Sequence, residues 1–308
     1  MAHAKYRHKI ARTREDIIFD SINYLLLSLI FVITLYPFYL VLILSFNEGT
    51  DAIRGGIYLF PRKLSLENFQ NLFISSKWMA GLGVSAMRTL IGTLLGVAFT
   101  SVVAYGMSFK NLIFRKGYYA VIIFAMYFHG GLIPTFLLYR TINIMNTFGV
   151  YIFPNLLSIF FMMIMISFFQ DIPPSLLEAA RIDGAGEWKV FIRIVLPLST
   201  SILATSALFM GVNHWNSWLD SAYYVQNKDL KTLSYLMMET INRSMIDRMS
   251  MTGGVDVSVQ TQGYASTAVT TRSLQMAAMI LSVAPIICVY PFLQKYFVKG
   301  IMLGSIKE

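Results

Sequence analysis

The chain has 308 residues, of which 56% are hydrophobic and only 13% charged, with a mean hydropathy of +0.59. Soluble domains carry roughly a quarter charged residues, so this deficit excludes an ordinary water-soluble fold and points to lipid as solvent. The net charge of +9 fits basic residues held on one side of a membrane rather than nucleic acid, and the single cysteine, Cys288, excludes an intrachain disulfide or a CxxC metal site.

Six apolar runs long enough to cross a bilayer follow in chain order, predicting an all-α integral membrane protein. The first, residues 22–46, is too long for a leader's apolar core and lacks a small-residue cleavage site, so it is expected to stay as an anchor kinked at Pro37. The second, 84–107, is rich in small residues (Gly92, Gly96, Ala98, Ala104) that favour close helix packing. The third, 118–139, is interrupted by His129-Gly130-Gly131 and Pro134. The fourth is 148–169, the fifth 196–219 opens at Pro197, and the sixth, 274–297, carries Pro285 and Pro291. These limits divide the chain into a tail at 1–20, a first span at 21–46, a loop at 47–82, a five-span core at 83–298 and a tail at 299–308. The core contains a polar loop at 171–197 and a long loop at 221–272.

Orientation follows from Lys and Arg. Lys5, Arg7, Lys9, Arg12 and Arg14, then Lys110, Arg115 and Lys116, then Arg181, Lys189 and Arg193, then Lys295, Lys299 and Lys307 all fall on one side of six alternating spans. Both termini are therefore expected in the cytoplasm. On the other side, the first loop carries Pro61 and an amphipathic Ser65-Leu66-Glu67-Asn68-Phe69, and the last combines a helical pattern at 233–248 with a Gly/Ser/Thr-rich part at 251–271.

The polar loop is the most informative stretch. Pro173-Pro174 stops the incoming chain and Pro174 suits the first turn of a new helix. Leu176, Leu177, Ala180 and Ile182 give that helix an apolar side, Glu178, Arg181 and Asp183 are polar, and Gly184 and Gly186 end it. The helix is about ten residues and about 15 Å long, too short to enter a bilayer, so it is expected along the cytoplasmic face. Glu178-Ala179-Ala180, three residues, Gly184, nine residues, then Ile194-Val195-Leu196-Pro197 resembles the EAA loop of permease subunits of ATP-binding-cassette importers. Pro61 with Leu66-Glu67-Asn68-Phe69, Gly130-Gly131-Leu132-Ile133-Pro134, Trp215-Asn216 and Phe297-Val298-Lys299-Gly300 are similar to the maltose-transporter type of sugar permease, and the long loop to its oligosaccharide and complex-glycan branch.

The resemblance implies a type I ABC importer permease fold in a bacterial cell membrane, with no enzymatic activity of its own. It implies a second homologous permease, two copies of a cytoplasmic ATPase that bind ATP and Mg²⁺, an extracytoplasmic solute-binding protein and a sugar substrate; no cofactor is implied in this chain. Glu178 would be the charged anchor, Ala179 and Ala180 the close-contact face, and Asp183 and Gly184 the turn that couples ATPase closure to alternating access. The tail at 299–308 is, on the same resemblance, expected to touch the ATPases.

Polar groups within spans usually face a bundle interior or a water-filled path. His129, Asn213, His214, Trp215, Asn216 and Trp218 are candidates for a sugar path by hydrogen bonding and ring stacking; helix-helix contacts and an interfacial aromatic belt are the competing reading. Asp220, Tyr223 and Tyr224 lie beside them. Within the long loop, residues 230–271, with Tyr235, Tyr264, Gln260 and Gln262, are expected to meet the binding protein; a simple external cap is the competing reading. Gly81-x-Gly83-x-x-Ala86 follows no strand and reads as packing, and Asn242-Arg243-Ser244 has the form of a glycosylation sequon only. There is no GxxxxGK[ST] loop, no HExxH and no catalytic carboxylate pair or metal cluster in the pattern. The alternatives are an ABC permease for a non-sugar solute, an ion-coupled secondary transporter with its own midplane site, and a membrane-bound glycan enzyme.

Overall fold

In lipid a backbone can satisfy its polar groups only within itself, and the chain is accordingly helical. The computed structural model describes the backbone of residues 13–252 and 269–304 and the side chains of 13–243, 269–289 and 291. Lys5, Arg7, Lys9, Arg12, the stretch from Gly253 with Gln260, Gln262 and Tyr264, and the side chains of Ser244, Lys295, Lys299 and Lys307 lie outside the described residues. Among the described residues, three helices are long and apolar enough to cross a membrane, and three bent helix pairs raise the total to six.

Helix α1 (Arg14–Ser45) starts two turns before the apolar run because a capping box sets its first turn. The Thr13 hydroxyl accepts from Asp16 N–H at 3.3 Å, and the Asp16 carboxylate accepts from Thr13 N–H at 2.9 Å. It runs on through Pro37. Its flanks, Leu25 and Phe31 among them, face outward, as lipid-facing residues must.

The loop after α1 folds back on that helix. The short α2 (Gly49–Ile53) and the amphipathic α3 (Glu67–Ile74) are joined by side-chain amides. Asn68, fully buried, donates through Nδ2 to the carbonyls of Ser45 and Asn47, both at 2.9 Å. It thereby satisfies acceptors at the open end of α1. Asp51 accepts from Asn47 Nδ2 and Arg62 Nε, each at 3.1 Å. The Asn47 bond, with the Arg62 guanidinium beside it, holds the Asp51 carboxyl below its ordinary value of 3.8. A depressed carboxyl stabilises the fold above the unfolded value and loses that contribution as pH falls through the folded one. Amide protection in residues 47–66, taken relative to the intrinsic exchange rate at each pH, is therefore expected to hold at pH 5 and to fall below about pH 4; equal protection at both would contradict this tie.

Helix α4 (Ser76–Ser108) is the centre of the bundle, packing most extensively on the helices Thr200–Asn216 and Ile159–Gln170. Its buried residues Gly81, Ser85, Arg88, Gly92, Gly96, Thr100 and Ala104 recur every three or four positions and form one face. Ala98, expected among the packing residues, is exposed, because two residues beyond Gly96 is about 200° round the helix. Gly92 is required by its neighbour: a Cβ there would lie 2.6 Å from His214 Nε2.

The third span is two helices, α5 (Arg115–Tyr127) and α6 (Leu132–Thr141), bent by 112° where Gly131 takes φ +85°. The fourth, expected as one run, is broken. The short α7 (Gly149–Ile152) leads through a 3₁₀ turn at Phe153–Asn155 into α8 (Ile159–Gln170) at 45°; Pro154 removes a donor where the helix would continue.

The motif loop holds α9 (Pro174–Ile182) and α10 (Glu187–Val190), followed by a π-helical turn (Phe191–Val195) and α11 (Leu196–Leu198). Expectation fails in detail here. The fifth span does not begin at Leu196 or run to 219. Helical structure already starts at Glu187, bends by 81° into α12 (Thr200–Asn216) and stops at Ser217. The bend falls at Ser199, between α11 and α12, two residues beyond Pro197, whose missing N–H lies next to the π-helical turn before it. Leu219 instead opens α13 (Leu219–Tyr224), and α14 (Leu233–Thr252) and α15 (Thr271–Gly304) follow. Hydroxyls inside the spans bond to the preceding turn, as Thr34 does to Ile30 O and Thr205 to Ser201 O, both at 2.8 Å.

Candidate functional site

The motif loop and the opposite end of the bundle, the far end, carry the two polar clusters of interest. In the loop, Pro174 occupies the first turn of α9 and Asp183 caps its end. Gly184 takes φ +76°, a left-handed conformation natural to glycine. Its N–H donates to Arg181 O and that of Ala185 to Ala180 O, both at 3.0 Å. This pair of bonds is a Schellman turn, which fixes the angle between α9 and the segment behind it. The expected single apolar side of α9 is divided. Leu177, Ala180 and Ala185 pack against the core formed by Ala104, Met165, Phe169, Val190 and Phe191. Leu176, Ile182 and Trp188 are exposed, Ile182 at 86%. Glu178, Ala179, Asp183 and Gly184 share that open face, whereas Ala180 turns partly to the core.

Glu187, which the motif pattern does not include, is the electrostatic centre of the loop. Its carboxylate accepts from Arg181 Nε at 2.9 Å and from the Tyr105 hydroxyl of α4 at 2.6 Å. The Arg181 guanidinium also lies 5.8 Å above the Phe109 ring.

At the far end, Arg88 of α4 is 1% exposed and pairs through both terminal nitrogens with the carboxylate of Asp220. It also donates to Ser217 O at 3.1 Å and lies over the Tyr151 ring at 4.6 Å. One guanidinium thus joins α4, α7 and the α12–α13 junction. Asp220 Oδ1 accepts further from Ser217 Oγ and Ser221 N–H. Lys231, also buried, donates to the carbonyls of Ser221 and Val225, satisfying the end of α13. Asn146, with φ +58°, accepts through Oδ1 from Gln226 N–H at 3.0 Å and Asn227 N–H at 2.7 Å. The far-end loops are therefore fastened to each other and to the spans.

The residues read as a sugar path are divided by this framework. Asn213 and Asn216, one turn apart, are exposed on α12, and Trp218 is half-buried just after it. His214 and Trp215 are buried: His214 sits against Gly92, and Trp215 Nε1 donates to Ser282 O at 2.9 Å. His129 lies exposed in the break between α5 and α6. A cleft of about 520 Å³ opens between α4, α12 and α15, lined by Thr89, Thr93, Leu203, Gly211, Trp215 and Pro285 among others. Its walls are nearly all carbon, a poor match for a hydroxyl-rich ligand. Pattern reading missed Arg88, Glu187, Tyr105 and Tyr151. Arg88 alone carried a signal, as an arginine within an apolar run.

Residues 92–303 match the family described as the binding-protein-dependent transport system inner membrane component. The chain is 31% identical over 290 residues to the polygalacturonan/rhamnogalacturonan transport system permease protein YtcP of Bacillus subtilis, covering 94% of this chain and 98% of the relative. It is 30% identical over 300 residues to Protein LplC of the same organism, covering 97% and 98%. Among solved structures, a chain of a bacterial ABC transporter involved in the import of the acidic polysaccharide alginate superposes with a TM-score of 0.82 at 23% identity, over 93% of this chain and 99% of that one. The fold is thus that of a type I importer permease, and the chain belongs to the binding-protein-dependent transport system inner membrane components, the non-enzymatic permease subunits of ATP-binding-cassette importers.

Proposed function

We propose that this permease is one half of an oligosaccharide importer, paired with a second, homologous permease and driven by two copies of a separate ATPase that binds the ATP and Mg²⁺. The observation that carries the coupling role is the Schellman turn at Gly184. It holds α9 at a fixed angle with Glu178, Ala179 and Asp183 outward, a shape suited to a cleft in a closing partner. In this reading α9 and both chain ends lie in the cytoplasm of a bacterial cell, as the Lys and Arg distribution favours, and the far-end loops meet a solute-binding protein. The sugar class is supported by the polygalacturonan/rhamnogalacturonan permease and by the alginate importer.

Asn213 and Asn216, with Trp218 nearby, are the path residues best placed to meet a sugar, since amides can bond hydroxyls and an indole can stack on a ring. His214 and Trp215 act beneath them as packing. The closing of the ATPases shifts the balance between inward- and outward-facing states. Reconstitution in proteoliposomes with the second permease, the ATPase and the binding protein tests the whole reading. Labelled oligosaccharide should accumulate with ATP and the binding protein together. Accumulation by this chain alone on an ion gradient, or no response to any of a panel of glycans, would overturn it.

A further inference from the structure

We propose that Glu187 is a positioning residue of the coupling stroke, fastening the α9 turn to the base of α4 so that α4 and α12 move as one body. The contact is built for this purpose in three respects. The donor on α4 is the hydroxyl of Tyr105, whose ring is buried among Phe109, Phe169 and Phe191 and so cannot follow a moving carboxylate. The donor on α9 is Arg181, the residue whose carbonyl accepts from Gly184 in the turn. Glu187 itself opens the helical segment that runs through the 81° bend into α12. A push on α9 thus reaches α4 directly through Glu187 and Tyr105, and reaches α12 through the chain.

Seventeen residues before Tyr105 on α4, a second tie joins Arg88 to Asp220, just beyond α12. Helices packed along their length, with one tie just beyond α12 and another in the segment leading into it, cannot shear past each other cheaply; they rock together. Without the lower tie, α9 could pivot on its glycine turn and absorb the stroke.

The inference rests on α9 meeting the ATPase, and the experiment separates the two. In the assembled complex, copurification of the ATPase reports α9 docking. The ratio of ATP hydrolysis with loaded binding protein to hydrolysis without it reports coupling. Tyr105→Phe removes one oxygen from a buried ring, and Glu187→Gln removes the charge. Both variants should copurify the ATPase as wild type does, while the ratio falls about 5-fold, the lower end of a coupling energy between sites. The double variant should fall no further than Glu187→Gln alone, because both lesions break one contact. A ratio within about 2-fold of wild type in Tyr105→Phe, or losses that multiply in the double variant, would overturn the proposal. Tyr105→Phe decides alone if Glu187→Gln does not assemble. Glu178→Arg is the separate arm: unimpaired copurification there would remove the docking reading, whatever the Tyr105 result.

Discussion

Arg88→Ala is expected to destabilise the permease by about 3–5 kcal/mol, the range for removing one partner of a buried ion pair. The guanidinium is 1% exposed, and its loss takes a charged donor from three acceptors at once: both oxygens of Asp220 and the carbonyl of Ser217. It also removes the cation held over Tyr151. Asp220 is left as a carboxylate at the end of a span with only Ser217 Oγ and Ser221 N–H to support it. Arg88→Lys keeps the charge but lacks the planar fork, so it should recover only part of the loss. The double replacement Arg88→Met with Asp220→Leu removes the charges together and should be less damaging than Arg88→Ala alone. Thermal unfolding of the purified complex in nanodiscs measures all three. An Arg88→Ala midpoint equal to wild type would mean that the pair holds nothing together.

That pair also marks the limit of what a one-dimensional pattern reveals. Hydropathy locates the six spans because each residue's preference for lipid is a local property. The turn at 174–186 is legible for the same reason: proline at a helix start and glycine at a left-handed end act on their own backbone. The breaks in the fourth and fifth spans are harder to read. Pro154 and Pro197 are visible, but proline can either break a helix or be carried through it, as Pro37 is in α1. Packing of neighbouring helices decides between those outcomes. Arg88 is visible as a charge in an apolar run, yet nothing local says that its partner lies 132 positions further on. Glu187 looks like any exposed acidic residue until Tyr105 of a distant helix is found beneath it. The same holds for Asn68 and Asn146, whose amides act as cross-loop ties only once the loops have met. The candidate path divides for a related reason. Four consecutive residues, Asn213 to Asn216, point round all sides of a helix, so they cannot all line one path.

Gly184→Val should abolish most transport while leaving the fold of the membrane spans intact. At φ +76° a β-branched side chain is a steric outlier, costing about 1–2 kcal/mol at a single left-handed residue. Beyond the two adjoining residues, no atom lies within 4 Å of where a Cβ would sit at that position, so the penalty arises from the local backbone and not from a clash with a packed neighbour. The turn relieves it by leaving the left-handed region, which breaks the bonds to Arg181 O and Ala180 O and frees α9 to swing. ATP-driven accumulation is then expected to fall about 10-fold or more, as 1.4 kcal/mol of lost coupling corresponds to a factor of ten. Gly184→Asn is the control. Asparagine tolerates the left-handed region and meets the same open space, so it should keep accumulation near wild type despite being larger than alanine. Glycine chosen for close approach would predict the opposite, a graded loss with side-chain volume whatever the backbone preference. Ranking Ala, Asn and Val at this one site by accumulation therefore separates a conformational role from a steric one, and a ranking by size alone would remove the turn from the coupling argument.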